Sequence, residues 1–174
     1  MRHMGAEMRL KHGQIPRTWI CALVLSLGFT VAAAGPRVEV NLEGSLLDES
    51  TGSNAWTPIS ESARVLPGDE IRYRVELFNA GDHEARQPVA LGPIPEGTAL
   101  VEGTATTGLS LEVLYSIDRG RSFSPQPTIV VEDEDGRQRT IPAPLELYTT
   151  IKWTWNTDLD SGERTDVSYQ VRVR

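Results

Sequence analysis

Beyond residue 34, apolar and polar positions take turns along the chain. Val38, Val40 and Leu42 alternate with Glu39, Asn41 and Glu43. Ile71, Tyr73, Val75 and Leu77 alternate with Arg72, Arg74 and Glu76. The same rhythm returns in Ile151, Trp153 and Trp155 around Lys152 and Thr154, and in Val167, Tyr169, Val171 and Val173 around Ser168, Gln170 and Arg172. A period of two, rich in β-branched and aromatic side chains, predicts strands with one buried and one wet face. No stretch of this portion keeps a helical period for three turns. Pro67-Gly68-Asp69, Asn79-Ala80-Gly81, Pro95-Glu96-Gly97, Asp135-Gly136 and Ser161-Gly162 separate the apolar runs, as tight turns require. The expected fold is all-β: an immunoglobulin-like antiparallel β-sandwich over residues 35–174. Residues 44–64 are mostly small and polar and read as a long mobile loop after the first strand, with Trp56 to pin it down.

The first 34 residues follow a different pattern. Arg2, Arg9, Lys11 and Arg17 stand against the single acid Glu7, an apolar run follows from Trp19, and it closes on Ala32-Ala33-Ala34. These are the marks of a secretory signal peptide over residues 1–34, cleaved before Gly35. The rival is a retained anchor, but the run from Trp19 to Ala34 falls short of the ~20 apolar residues a spanning helix needs. Cys21 follows Ile20, where a lipoprotein signal requires a small residue. The expected destination is the periplasm or the cell exterior, with no membrane span after cleavage.

Removing the leader takes four basic residues and one acidic residue with it, so the net charge moves from −7 to about −10. Every Met, the single Cys and two of the three His go as well. The exported portion therefore contains no thiol and one imidazole, His83. Thiolate catalysis, Cys-based zinc sites and disulfides are excluded, although an oxidising compartment would permit the last. The acidic balance disfavours nucleic acid and anionic membranes and favours cationic or calcium-bridged partners.

Two resemblances are carried by specific residues. Ser116-x-Asp118-x-Gly120-x-x-Phe123 resembles the Asp-box of sialidase propellers, a structural device of β-hairpins in which Ser and Asp satisfy backbone groups, Gly permits the turn and the aromatic packs beneath. One copy cannot build a propeller. A hairpin between the strands Leu111–Tyr115 and Thr128–Val131 is the expected form. The run from Val65 to Gly81, the segment from Ile94 to Ala105, and Ile151-Lys-Trp with Gly162-Glu163 and Val167–Val173 resemble the bacterial conserved-repeat domain, catalogued as domain of unknown function eleven. That likeness spans roughly residues 65–174. It implies an immunoglobulin-like module of secreted or surface proteins and carries no catalytic residues. Many such domains hold Asp three residues before the Pro-x-Gly turn, where this chain has Gly92. The turns themselves need no ligand: Pro67 fixes φ, Gly68 admits a positive φ, Asn79 bonds its own backbone, and Gly81 is expected to be left-handed.

The remaining candidates are weak. Glu132-Asp-Glu-Asp-Gly136 offers Asp133 and Asp135 to calcium, and Asp158 and Asp160 hint at a second loop, but calcium needs six to eight converging oxygens. Asp135-Gly136 reads as a two-residue hairpin turn. His83, beside Asp82 and Glu84, reads as a solvated loop residue, and no Gly-x-Ser-x-Gly elbow is present. Trp153 and Trp155 read as core, which leaves Trp56 and Phe78 as the candidate contact surface. The functional expectation is a non-catalytic interaction or structural module of the bacterial envelope, without cofactor. It would recognise an envelope protein or surface polymer through its end loops or by strand addition, with non-covalent anchorage. The alternative is a carbohydrate-binding module using exposed aromatics.

Overall fold

The structure, a computed structural model, describes residues 35–48, 55–60 and 63–174. The leader assigned to residues 1–34, Cys21 included, lies outside them. The described chain is the expected all-β antiparallel sandwich. Its strands are β1 (Val38–Asp48), β2 (Ala55–Pro58), β3 (Glu70–Asn79), β4 (Val89–Pro93), β5 (Thr98–Leu100), β6 (Leu111–Ser116), β7 (Thr128–Glu132), β8 (Gln138–Pro142), β9 (Thr150–Trp155) and β10 (Arg164–Val173). A short 3-10 turn covers Leu145–Leu147. A five-stranded sheet runs β2-β1-β3-β10-β5, and a three-stranded sheet β4-β9-β6 packs on it. β7 and β8 form a separate hairpin.

The core follows from the alternation. Val75 pairs with Val167, Tyr73 with Tyr169 and Ile71 with Val171, so β3 and β10 send their even-spaced apolar rows to one face. β9 answers with Ile151, Trp153 and Trp155, all buried. The ring of Trp153 lies 5.7 Å from that of Tyr169, which stacks on Tyr73 at 5.4 Å. Burying a tryptophan obliges its N–H to find an acceptor. Trp153 Nε1 donates to the Thr106 carbonyl at 2.9 Å and Trp155 Nε1 to Thr165 Oγ1 at 3.2 Å. The Tyr169 hydroxyl donates across the sandwich to the Pro93 carbonyl. Both tryptophans are core residues, as their alternation predicts.

Three expectations are corrected here. Residues 44–64 are not a single long loop: β1 continues to Asp48, and Ala55–Pro58 returns beside it as β2. Leu46 and Ile59 pack on the core from this hairpin, and their apolar surface outweighs the small polar residues around them. The Asp-box does not join Leu111–Tyr115 to Thr128–Val131. β6 pairs with β9 and β7 with β8, and a bridge from Tyr115 to Ser124 alone closes the motif. The β7–β8 turn is also longer than two residues. Asp133 N–H bonds the Arg137 carbonyl at 2.9 Å, so Glu134, Asp135 and Gly136 form a three-residue loop.

Candidate interaction surface

The two sheets are unequal, and β1 stands where the inequality falls. β4 lies against β3, and Trp153 of β9 lies on Tyr169 of β10. Among the described residues no strand of the smaller sheet stands opposite β1. Val38, Val40 and Leu42 face the interior side, because their register partners are Asn79, Leu77 and Val75. Yet they are 36%, 58% and 45% exposed, whereas Leu77 and Val75 are fully buried. The alternation predicted the strand correctly and its burial incorrectly. Period two shows that a row of side chains shares one face, but not that another layer covers it.

The backbone of the same residues is open as well. Ala80 N–H donates to the Arg37 carbonyl at 2.8 Å. In an antiparallel ladder the pairing alternates, so Arg37, Glu39, Asn41 and Glu43 direct their main-chain groups to β3, and Val38, Val40 and Leu42 direct theirs away. Gly44 also points away, and its carbonyl accepts Ile59 N–H at 3.0 Å, where β2 begins its cover. Among the described residues the edge of β1 is thus open from Arg37 to Glu43. The far side of β10 contrasts with it. There β5 pairs with Val171–Val173, and Thr106 bonds the Ser168 backbone through both its amide and its hydroxyl. The Gln170 backbone is held by the Val101 amide and the Thr104 hydroxyl.

The outer face of the five-stranded sheet is polar and crossed by ion pairs: Arg164 with Glu76 at 2.8 Å, Arg74 with Asp166 at 2.9 Å and Arg172 with Glu70 at 2.6 Å. These are exposed and contribute little each, on the order of 0.2–1 kcal/mol. The candidate contact aromatics lie on this face. Trp56 carries the Arg72 guanidinium 4.1 Å above its ring, and Phe78 carries Arg164 at 3.9 Å. Both rings are half-buried and already occupied by arginine. They stand at opposite ends of the sheet and form no joint platform.

The other sequence candidates resolve into backbone-fixing groups. Ser116 Oγ accepts from Asp118 N–H at 3.2 Å and Gly120 N–H at 2.8 Å. Asp118 accepts from the Arg121 and Ser122 amides, at 3.0 and 2.9 Å, and from the Ser122 and Ser116 hydroxyls. The Ser122 bonds above all, then those of Ser116 and Arg121, hold its carboxyl well below the usual carboxylate range. Gly120 takes φ +80°, and Phe123 lies under it with Lys152 above its ring at 4.9 Å. Gly68, after Pro67, takes φ +96°, as its turn requires. Gly81 does not: its place is fixed by crowding, since a Cβ there would meet the Gly35 carbonyl at 2.3 Å. Asn79 is completely buried.

Asp133 accepts from the Asp135 and Arg137 amides at 3.1 and 2.9 Å, and Asp135 pairs with Arg137. Asp158 accepts from Gln87 N–H at 3.3 Å, and Asp160 N–H bonds Glu163. The four aspartates are spread over two turns and do not converge. Among the described residues no three His, Asp or Glu side chains gather as a metal site. His83 Nδ1 meets Asp82 at 2.8 Å in the open, and that contact, with the Gly35 amide, lowers the pKa of Asp82.

A cleft of about 440 Å³ opens between Tyr115, Tyr148, Gln126, Glu102 and Leu145. Its two phenols pack on each other, ring centres 5.3 Å apart, and burial raises the pKa of both. Comparison of the chain with family models, with curated proteins and with solved structures finds no match.

Proposed function

We propose that this chain is an exported, non-catalytic interaction module of a bacterial cell envelope, which binds by adding a strand to the open edge of β1. The carrying observation is the coincidence, on Val38, Val40 and Leu42, of unpaired main-chain groups and an uncovered apolar row. Natural sheets blunt such edges with charge, proline, bulges or cover, and an edge left both straight and greasy is a template for another strand. Export rests on the basic, apolar and Ala-x-Ala pattern of the leader. The likeness to bacterial conserved-repeat modules agrees with a role in surface assembly rather than chemistry. Hydrolysis would need a built constellation of nucleophile, base and electrophile, and the acids at the turns are instead engaged with nearby amides.

Placing a photoreactive side chain at Asn41, beside the open edge, tests the reading in cells expressing the chain with its own leader. Irradiation should yield a discrete cross-linked product in the envelope fraction, and the same probe at Glu112 on β6 should yield none. Absence of any product from Asn41 would remove strand addition as the mode of binding.

A second reading, a carbohydrate-binding module, is favoured by the cleft at Tyr115 and Tyr148 and disfavoured by the burial of Trp153 and Trp155. Calorimetric titration with a panel of glycans, repeated on Tyr148→Ala, decides it. Saturable heat with the natural chain, lost in the variant, would favour the sugar reading.

A further inference from the structure

The open edge of β1 is described by its length, its charges and its two ends, and these together specify an occupant. We infer that it pairs with β1 of a second copy of this chain, antiparallel and symmetric about Val40. The inference rests on the reading of β1 as a strand-addition site.

The ends come first. Pro36 has no N–H to donate, so pairing stops there. At the other end Gly44 already accepts Ile59 N–H. The available stretch is Arg37 to Glu43, and its midpoint is Val40. A twofold axis at Val40 sets Val38 opposite Leu42 of the second copy, Val40 opposite its own equivalent, and Leu42 opposite Val38. All three outward-facing residues on each strand are then used, each in a pair that exchanges N–H and C=O bonds. Such an interface is isologous and closes on itself.

The charges choose the register. About Val40, Arg37 stands opposite Glu43 of the second copy, twice by symmetry, and Glu39 stands opposite Asn41. A slip of two residues in one direction sets Glu39 against Glu39; a slip in the other sets Glu39 against Glu43 twice. Opposite charges across an antiparallel pair are favourable and like charges are not. In the register about Val40, Pro36 of the second copy comes opposite Gly44, beside Ile59, so Gly35 and Pro36 must turn out of the sheet there. Larger slips abandon outward-facing residues or drive more of the second strand into β2. In the single chain Arg37 pairs with Glu39 along its own strand, both side chains open to solvent, and is free to turn to the partner. The apolar row joins its equivalent on the same face of a continuous row of eight strands, β5-β10-β3-β1 from each copy. Val38 then meets Leu42 and Val40 meets Val40 at cross-strand distance.

The contact is short, and each copy without residues 1–34 carries a net charge near −10, which opposes association beyond the immediate pairs. A concentration-dependent dimer follows, not a permanent one. Sedimentation equilibrium of the full chain, as processed by its host, at roughly 0.15 M salt where long-range repulsion is screened, should show the mass rising toward twice that of one chain. Arg37→Glu and Glu43→Arg should each weaken association on the order of tenfold or more, because each creates two like-charge pairs. Mixing the two variants should restore it. In the mixed dimer both cross-strand pairs between positions 37 and 43 again join an acid to a base. Circular dichroism of each variant establishes that it is folded, and rescue by mixing cannot come from a folding defect.

A natural chain that stays monomeric at every concentration would overturn the inference, as would a dimer indifferent to both substitutions. Should the chain remain monomeric while the Asn41 probe captures a different envelope protein, self-pairing fails and strand addition stands. Should the probe capture nothing, both fail.

Discussion

Trp153 closes so tightly over Gly92 that a Cβ on that glycine would lie 2.7 Å from the indole and 2.7 Å from the Tyr169 ring. Gly92 pairs with Ile151 on β9, next to the Ala90–Trp153 pair, and these two small residues of β4 make the bed for the largest side chain of the core. Position 92 is therefore glycine for a steric reason. Gly92→Ala should destabilise the domain by about 1–3 kcal/mol, the usual cost of overpacking. Gly92→Asp should cost more, because it adds a carboxylate to an apolar bed. Urea denaturation followed by tryptophan emission measures both, and a neutral Ala variant would mean that the rings yield easily.

Asn79 ties three segments together from a fully buried position. Its amide nitrogen donates to the His83 carbonyl at 2.7 Å and the Leu159 carbonyl at 2.9 Å, and its oxygen accepts from Gly81 at 3.1 Å and Arg37 at 3.3 Å. Asn79→Ala should cost at least about 2 kcal/mol, since several backbone groups lose a partner where water does not replace it. Amide exchange should quicken at Gly81 and Arg37 first. The entry of β1 would loosen with them, which makes this residue a remote support of the open edge.

The strands β3, β9 and β10, the first half of β1 and the two core tryptophans were legible because period two and aromatic identity act locally. Asn79 was legible only as a turn former. Its bond to Leu159 joins residues 80 apart, and no local pattern announces that. The open edge was hidden for a related reason. Val40 and Val75 obey the same alternation, and only the count of strands in the facing sheet distinguishes them. The shortness of the Val89–Pro93 segment, which supplies the rim strand of that sheet, was the sequence signal nearest to it. Trp56 and Phe78 lie on the polar face but are half-buried, because Arg72 and Arg164, which cover them, come from other strands.

Asp118 gives the fold an acid-sensitive tie. Its folded pKa lies below the ordinary value of 3.8, through bonds from Ser122 first and Ser116 and Arg121 after. A depressed carboxylate contributes stability that is present above the unfolded pKa and lost as pH falls below it. Asp118→Asn should therefore melt at a lower temperature than the natural chain at pH 7. The gap should narrow as pH drops below about 4. A gap that stays constant from about pH 7 to about pH 3 would show that the charge of Asp118 is irrelevant and that shape alone sustains the turn.

Val40 and Leu77 are register partners on one face, and their substitutions should nonetheless diverge. Leu77 is fully buried between the sheets, so Leu77→Ala removes packed methyls and leaves a cavity, at about 2–5 kcal/mol. Val40 is 58% exposed, so Val40→Thr should lie within about 0.5 kcal/mol of the natural chain, as ordinary surface changes do. Denaturant titration at low protein concentration, where a second copy contributes nothing, measures the two on one scale. Equal costs would mean that the apolar row of β1 is covered within the single chain, and the case for an open edge would go with it. Divergent costs leave a greasy, unpaired strand margin that the fold of one chain does not need, and that a second strand can use.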